Sequence, residues 1–348
     1  MKIKEKEEKK NSENLTHHPL ITVIMPVRNE EKYIERSLQR IYEQDYPRDK
    51  IEIIVVDGMS DDKTRDIIQE TDSKFPNTSL TLLDNPGRIV PTALNIGINQ
   101  SRGDIIIRVD GHCEIPKDYF KTCIKYLKEP EVYNVGGMQF PVGEDYISKA
   151  IAIATSSPLF IGNSYFRYSQ KKRFVDTVFL GAFPGEVFHT VGMFDEELVR
   201  HQDYEYNIRL QKHGGKILYL PSIKVKYYPR NDLVSFIKQY FQYGFWKFRV
   251  MQKTQRAFKI RHFAPTIFSI YILLGGVLGI INEQIRFIYY LGLILYVLAA
   301  LTSSIYVSIK EKKFSFLPIL PILFASIHLS WGLGFWWGAI YWNIKRLL

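Results

Sequence analysis

Cysteine is scarce in this chain: Cys113 and Cys123 are the only two in 348 residues. That excludes a disulfide-stapled scaffold, and with no CxxC pair it excludes a zinc ribbon too. Two reduced thiols suit a cytosolic domain. The phosphate cradles GxGxxG and GxxxxGK[ST] are missing, and so is the GxSxG elbow of serine hydrolases. The opening segment, MKIKEKEEKKNSENLTHH, has no apolar run. It therefore predicts a disordered charged tail over 1–18 rather than a secretory leader. Acidic residues become rare after residue 230. The formal charge of the chain is +10, yet residues 19–230 carry a net −1. Residues 231–262 carry +6, with Asp232 as their only acid. A nucleic-acid enzyme spreads its basic residues over a working face. A basic block just before an apolar region is instead the mark of a cytoplasmic membrane flank, so nucleic acid is not an expected partner.

What is present is an alternation of short apolar runs and helical patterns over 19–230, the signature of an α/β domain. ITVIMPV (21–27), IEIIVVD (51–57), LTLLD (80–84) and DIIIRVD (104–110) read as strands. Asn29 can cap a helix whose apolar face shows Ile34, Leu38 and Ile41, and 91–100 and 117–129 read as further helices. Uncharged runs at 263–281, 287–309 and 314–344 each reach the roughly 20 residues a membrane helix needs. The third is longer than one span. Pro318 and Pro321 place its helix at about 320–342. Basic flanks before 263 and at 310–313 predict cytoplasmic ends there. Three full spans would put Lys345 and Arg346 outside, whereas a re-entrant third segment would not. Between the two regions, 231–262 mixes Lys and Arg with Phe236, Tyr240, Tyr243 and Trp246 at helical spacing, as an amphipathic membrane-interface helix does.

Two carboxylates close core strands, Asp57 and Asp110. In open α/β sheets, ligands bind beyond the carboxyl ends of strands. Each Asp alone reads more readily as a helix cap than as a site. The triplet Asp110-Gly111-His112 is more specific. A carboxylate and an imidazole around a glycine suit a divalent ion, and the imidazole favours Mn²⁺ over Mg²⁺. Such an ion would neutralise a departing diphosphate. Asp203 and Glu205 begin another helical pattern. There a carboxylate can act as general base or merely complement the helix dipole.

The segments VIMPVRNEEKYIERSL, IIVVDGMSDD, IVPTALNIGI, IIIRVDGHCEI, VFLGAFPGEVFHTVGMFDEEL and HQDYEYNIRL occur in the order seen in family-2 glycosyltransferases of GT-A fold. With PSIKVKYYPR and QYFQYGFWK, the chain resembles the succinoglycan-type, ExoA-like exopolysaccharide branch over about residues 20–260. The resemblance implies an α/β, Rossmann-like nucleotide-diphospho-sugar domain followed by an interfacial helix and about three transmembrane helices. It implies that Pro26, Arg28, Asn29 and Glu30 line the nucleoside pocket and that Asp57 bonds the base, usually uracil. It places Arg88 and Asn95 near the donor, and Asp110 with His112 in the metal motif, where His112 stands for the usual second carboxylate. Asp203 matches the acidic base, with Gln202 where a Glu is common. The Gly181–Phe183 loop and 192–197 would border the acceptor.

One departure matters. Processive synthases carry Q-x-x-R-W, whereas here Gln242 and Trp246 flank Phe245 in the Arg place, with Lys247 next. That points to single-sugar transfer. The implied partners are a nucleotide-diphosphate sugar, a polyprenyl-diphosphate-linked saccharide and membrane lipids, and an oligomer or polysaccharide-assembly complex is compatible with it. The implied location is a multi-pass cell-membrane protein with its catalytic domain in the cytoplasm. A processive synthase and a non-catalytic nucleotide-sugar-binding regulator are the rival functions, and a transporter is disfavoured because His328 is the one internal ionisable group of the apolar runs.

Overall fold

The structure, a computed structural model, describes residues 18–76, 78–162, 164–254, 257 and 262–347. Residues 1–17 of the expected tail lie outside the described residues, as do 255–256 and 258–261 of the basic flank. The chain forms two compact units. The first contains residues up to Phe140 together with Ser169–Tyr227. The second contains Pro141–Tyr168 and Tyr228–Leu348.

The first unit opens with β1 (Ile21–Val27), α1 (Ile34–Tyr42), β2 (Ile51–Asp57), α2 (Thr64–Ser73), β3 (Ser79–Asp84), α3 (Val90–Gln100) and β4 (Ile105–Arg108). It continues with β5 (Cys113–Glu114), α4 (Tyr119–Leu127) and β6 (Val132–Pro141). Next in the chain come α5 (Tyr146–Thr155) and α6 (Pro158–Ile161), which belong to the second unit. The first unit resumes with β7 (Arg173–Phe174), β8 (Phe179–Pro184), α7 (Val187–Thr190), α8 (Gln202–Lys212) and β9 (Lys216–Tyr227). Its sheet runs β3-β2-β1-β4-β8-β6-β9-β5, with β7 pairing β9.

β1, β2, β3 and β4 are mutually parallel, and Val27 and Asp57 stand side by side at the end of their register. Every residue of β1 and β2 is buried, as strands covered on both faces must be. Val23, Met25 and Val27 enter one core while Ile24 enters the other, following the period-2 alternation. Pro26 is tolerated in this central strand because of where it falls. The Ile24 carbonyl accepts from Val109 N, so the peptide of Pro26 also faces β4, whose pairing ended at Arg108.

Two local expectations are corrected. Asn29 does not cap α1. Its backbone is left-handed (φ 54°), and its side chain bonds across to Asp61. Gly181–Phe183 is not a loop but part of β8, antiparallel to β4 with Ala182 and Phe183 buried. Phe183 packs in the second core rather than on a cleft, which is what a central strand requires of its apolar side chains.

The second unit is helical. It adds α9 (Leu233–Lys253), α10 (Phe263–Ile281), α11 (Glu283–Glu311) and α12 (Leu320–Leu347). Asp232 caps α9 by accepting from Ser235 N at 2.7 Å. The apolar face of α9, Phe236 and Tyr240 included, is buried in this unit's own core with Leu320, Leu323 and Phe324. A glycine seam joins α9 to α12. A Cβ on Gly244 would overlap the Trp331 carbonyl oxygen, and one on Gly334 would overlap that of Phe241. α10, α11 and α12 are long and apolar enough to cross a membrane. At 1.5 Å per residue, the 28 residues of α12 reach about 42 Å without a break, longer than the roughly 30 Å hydrocarbon layer. Large apolar side chains such as Ile280, Ile281 and Phe287 stand fully outward, as a lipid-facing surface requires. Segment 141–168, expected within the α/β domain, groups instead with these helices, because Ala150, Ile151, Ala154 and Phe160 join the core they form.

Candidate active site

Parallel pairing of β1, β2 and β4 brings their carboxyl ends to one edge of the sheet. The turns beyond them are stitched together. Asn29 N donates to Ser60 Oγ at 2.9 Å, Glu30 N to Thr64 Oγ1 at 2.7 Å, and Lys63 N to Glu31 at 3.2 Å. Asp57 is fully buried and accepts from Ser60 N (3.0 Å), Ser60 Oγ (2.5 Å) and Arg65 Nη1 (2.9 Å). Its carboxylate thus shapes the β2 turn. Arg28 and Arg88 are exposed, the latter in a left-handed turn. Pro26 is buried inside β1.

After β4 the chain turns at Asp110-Gly111-His112, and Cys113 N closes the turn on the Asp110 carbonyl at 3.1 Å. Ser37 Oγ holds the Gly111 carbonyl at 2.8 Å. A Cβ at 111 would sit 3.0 Å from Glu30 Cγ and Val27 Cγ1, so a larger residue there would press on both side chains. That close approach lets the Glu30 carboxylate meet His112 Nδ1 at 2.8 Å. The pair orients the imidazole, so that Nε2 is the nitrogen that could coordinate an ion. Among the described residues, Asp110, His112 and Cys113 form one group whose ligand atoms lie within 4.8 Å of one another. A carboxylate and an oriented imidazole fit a divalent ion.

Arg108 is the residue that sequence reading passed over. Its guanidinium grips Asp110 with both arms, Nε to Oδ1 at 2.7 Å and Nη2 to Oδ2 at 3.1 Å. Burial works against its charge, but the carboxylates of Asp110 and then Asp203 outweigh that and raise its pKa. Asp203, half-buried in the first turn of α8, is therefore within electrostatic reach of the same guanidinium. The signal was available: Arg108 and Asp110 are two apart at a strand end, so they lean to one side. Glu205, the other candidate base, is bound at both oxygens by Arg209, which also holds the carbonyls of Val191 and Met193. Asn95 serves the same segment, donating to the Phe194 carbonyl and accepting from Phe194 N, both at 2.9 Å. It also reaches Glu196 at 2.8 Å. Gln202 is buried beside Asp203 in the sequence. Gln242, Trp246 and Lys247 belong to α9 in the second unit. There Gln242 is exposed, Lys247 is buried, and Trp246 lies 5.3 Å from Trp342. Phe245, in the Arg place of the processive motif, packs 5.5 Å from Tyr341 and from Trp342.

The pattern of glycosyl transferase family 2 matches residues 22–185. A Methanococcus voltae protein is 31% identical over 329 residues, covering 93% of this chain and 98% of that one. The chain belongs to glycosyl transferase family 2. That relative is named dolichyl N-acetyl-alpha-D-glucosaminyl phosphate 3-beta-D-2,3-diacetamido-2,3-dideoxy-beta-D-glucuronosyltransferase. Succinoglycan biosynthesis protein ExoA of Rhizobium meliloti (strain 1021) is 27% identical, covering 90% of this chain and 93% of its own. Among solved structures, the mannosyltransferase PcManGT from Pyrobaculum calidifontis, in complex with GDP-Man and Mn²⁺, superposes with a TM-score of 0.57 at 20% identity. It covers 91% of this chain and 89% of its own, and it shows that the family-2 chain has the GT-A fold, followed by its apolar helices.

The cysteines of this transferase are expected to be inert in the folded state. Burial pushes the Cys113 thiol well above its ordinary value, and burial raises Cys123 likewise. Both thiols hold their protons more tightly folded than unfolded. Their contribution to stability is therefore full below about pH 8.5, the free-thiol value, and declines as pH rises above it. Iodoacetamide at pH 8.5 should label neither in native protein and both in denaturant, read by mass spectrometry. Rapid native labelling of either would overturn this.

Proposed function

We propose that the chain moves one sugar from a nucleoside-diphosphate sugar, UDP-linked, to a hydroxyl of a polyprenyl-diphosphate-linked saccharide, with inversion. The observation that carries the reading is Arg108, whose guanidinium pairs Asp110 while lying in the field of Asp203. That arrangement supports a strand-end carboxylate and a helix-start carboxylate serving one centre. Asp203 would accept the acceptor's hydroxyl proton as that oxygen bonds to the anomeric carbon, and the bond from that carbon to the diphosphate would break on the opposite side. Asp110 and His112 would hold a divalent ion, Mn²⁺ in preference to Mg²⁺, which would supply charge for the departing diphosphate. Glu30 would orient His112, Arg28 and Arg88 would face the phosphates and nucleoside, and Asp57 would keep the β2 turn in shape. Asn95 would set the 192–197 segment that borders the acceptor.

The named activity of the M. voltae relative on a dolichyl-phosphate-linked sugar supports the lipid acceptor. The Mn²⁺ and GDP-Man of the mannosyltransferase structure support the ion and donor class. Aromatic packing of Phe245 favours single transfer over processive synthesis. The basic stretch 231–262 would lie at the membrane interface through its Lys and Arg side chains, since Phe236 and Tyr240 of α9 are packed in their own unit's core, and the catalytic unit would lie in the cytoplasm.

The test is nucleoside-diphosphate release in native-like membranes, from a panel of UDP- and GDP-sugars with lipid-linked acceptors. Release with one donor is expected, dependent on acceptor, and reduced at least about 100-fold by EDTA or by His112→Ala. Full release in EDTA would exclude the metal. Equal release without acceptor would exclude the transfer.

A further inference from the structure

We propose that Arg108 holds the cation position at Asp110 until a metal-bound nucleoside diphosphate displaces it, so that metal and donor enter the site together. This rests on the reading of Asp110 as a metal ligand.

Both carboxylate oxygens of Asp110 are taken by one guanidinium, at 2.7 and 3.1 Å. The two side chains are only 17% and 13% exposed, so the pair is poorly screened. Fork-on-carboxylate pairing is the strong form of a charge-assisted bond, and Arg does not lose its charge at working pH. A divalent ion needs at least one of those oxygens, and it would arrive as a like charge beside the guanidinium. A free aqueous ion therefore faces a competitor built into the chain. A nucleoside diphosphate changes the balance, because its oxygens neutralise the ion and offer the released guanidinium a second fork-shaped acceptor. The other protein ligand is arranged in the opposite sense. His112 is held by an anion, Glu30, at 2.8 Å, which favours coordination by the imidazole. One ligand is thus supported and the other is guarded, and the guard sits two residues before the ligand it covers.

The experiment titrates Mn²⁺ into the purified full-length chain in nanodiscs, reading free Mn²⁺ by electron paramagnetic resonance. Wild type, Arg108→Gln, Arg108→Lys and Asp110→Asn are compared, each with metal alone and with UDP or GDP. Wild type is expected to bind Mn²⁺ weakly alone and at least tenfold more tightly with its nucleotide. Arg108→Gln should bind Mn²⁺ alone at least tenfold more tightly than wild type, with a smaller nucleotide effect. Arg108→Lys, a point charge without the fork, should fall between the two, and it decides the matter if the glutamine variant does not fold. Affinity for Mn²⁺ alone that is unchanged or weaker in the folded Arg108 variants would overturn the competition and make Arg108 an orienting residue only. Unaltered Mn²⁺ binding in Asp110→Asn would overturn the metal reading itself, and the competition with it.

Discussion

Replacing Asp203 by asparagine is expected to lower transfer by about a thousandfold, the middle of the range for loss of a general base. The amide keeps the size and can still accept a hydrogen bond, but it cannot take up the acceptor's proton. Asp110, His112 and Glu30 are untouched, so donor-dependent Mn²⁺ retention should stay within a few-fold of wild type. The measurement is a single-turnover rate in membranes, set beside Mn²⁺ binding on the same preparation. A rate within tenfold of wild type would remove Asp203 from the chemistry. Glu205→Gln is the informative contrast. Glu205 is spent on Arg209, which pins the Val191 and Met193 carbonyls. That change should therefore act through stability and acceptor affinity and leave the proton transfer alone.

The largest expected effect outside the catalytic unit is at Gly244. A valine there would drive its Cβ into the Trp331 carbonyl and crowd the Phe335 amide. Both are backbone groups inside a continuous helix and cannot swing aside. Overpacking usually costs 1–3 kcal/mol when side chains can adjust, so a backbone clash should reach about 3 kcal/mol or more. For a unit of this size that corresponds to a fall of about 10 °C in melting temperature. Gly276→Ala is the control, since its Cβ would meet only the Tyr289 hydroxyl and ring carbon at 3.5 and 3.7 Å. Thermal unfolding in detergent should separate the two. A melting point for Gly244→Val within about 2 °C of wild type would mean that α9 and α12 can move apart freely.

The parallel half of the sheet was legible because β1, β2 and most of β4 are buried on both faces and read as apolar runs, while the edge strand β3, only partly buried, still shows the apolar run Leu80–Leu83. Three of the four expected strands were placed to within one residue, and the fourth, expected over 104–110, starts one residue later and stops two residues earlier, at Arg108. The antiparallel strands β6, β8 and β9 escaped. Glycines at 136 and 137 in β6 and at 181 in β8, where neighbouring groups come too close for a Cβ, interrupt those two patterns, and Pro221 interrupts that of β9. At the site, residue types were readable but their partners were not. Asp110 and His112 announced a ligand pair, yet nothing local says that Arg108 covers one and Glu30 supports the other. Glu30 lies 82 positions from His112, so the contact exists only once β1 and β4 are paired. Asn95 and Glu205 were read as chemical groups and serve as braces. A carboxylate or amide looks the same in sequence whether it meets substrate or backbone.

The interleaving of the two units has a practical cost for anyone who wants a soluble catalytic fragment. The polypeptide passes from one unit to the other after residues 140, 168 and 227. Cutting near residue 230 would remove the apolar helices but leave Pro141–Tyr168 behind. Ile151, Ala154 and Phe160 of that segment would then lose Phe236, Leu320 and Phe324, with which they form one core. The shortened protein would carry a greasy helix into water and associate through it. No single cleavage point separates the two units, and detergent or nanodiscs follow from the order of the chain as much as from its long apolar helices.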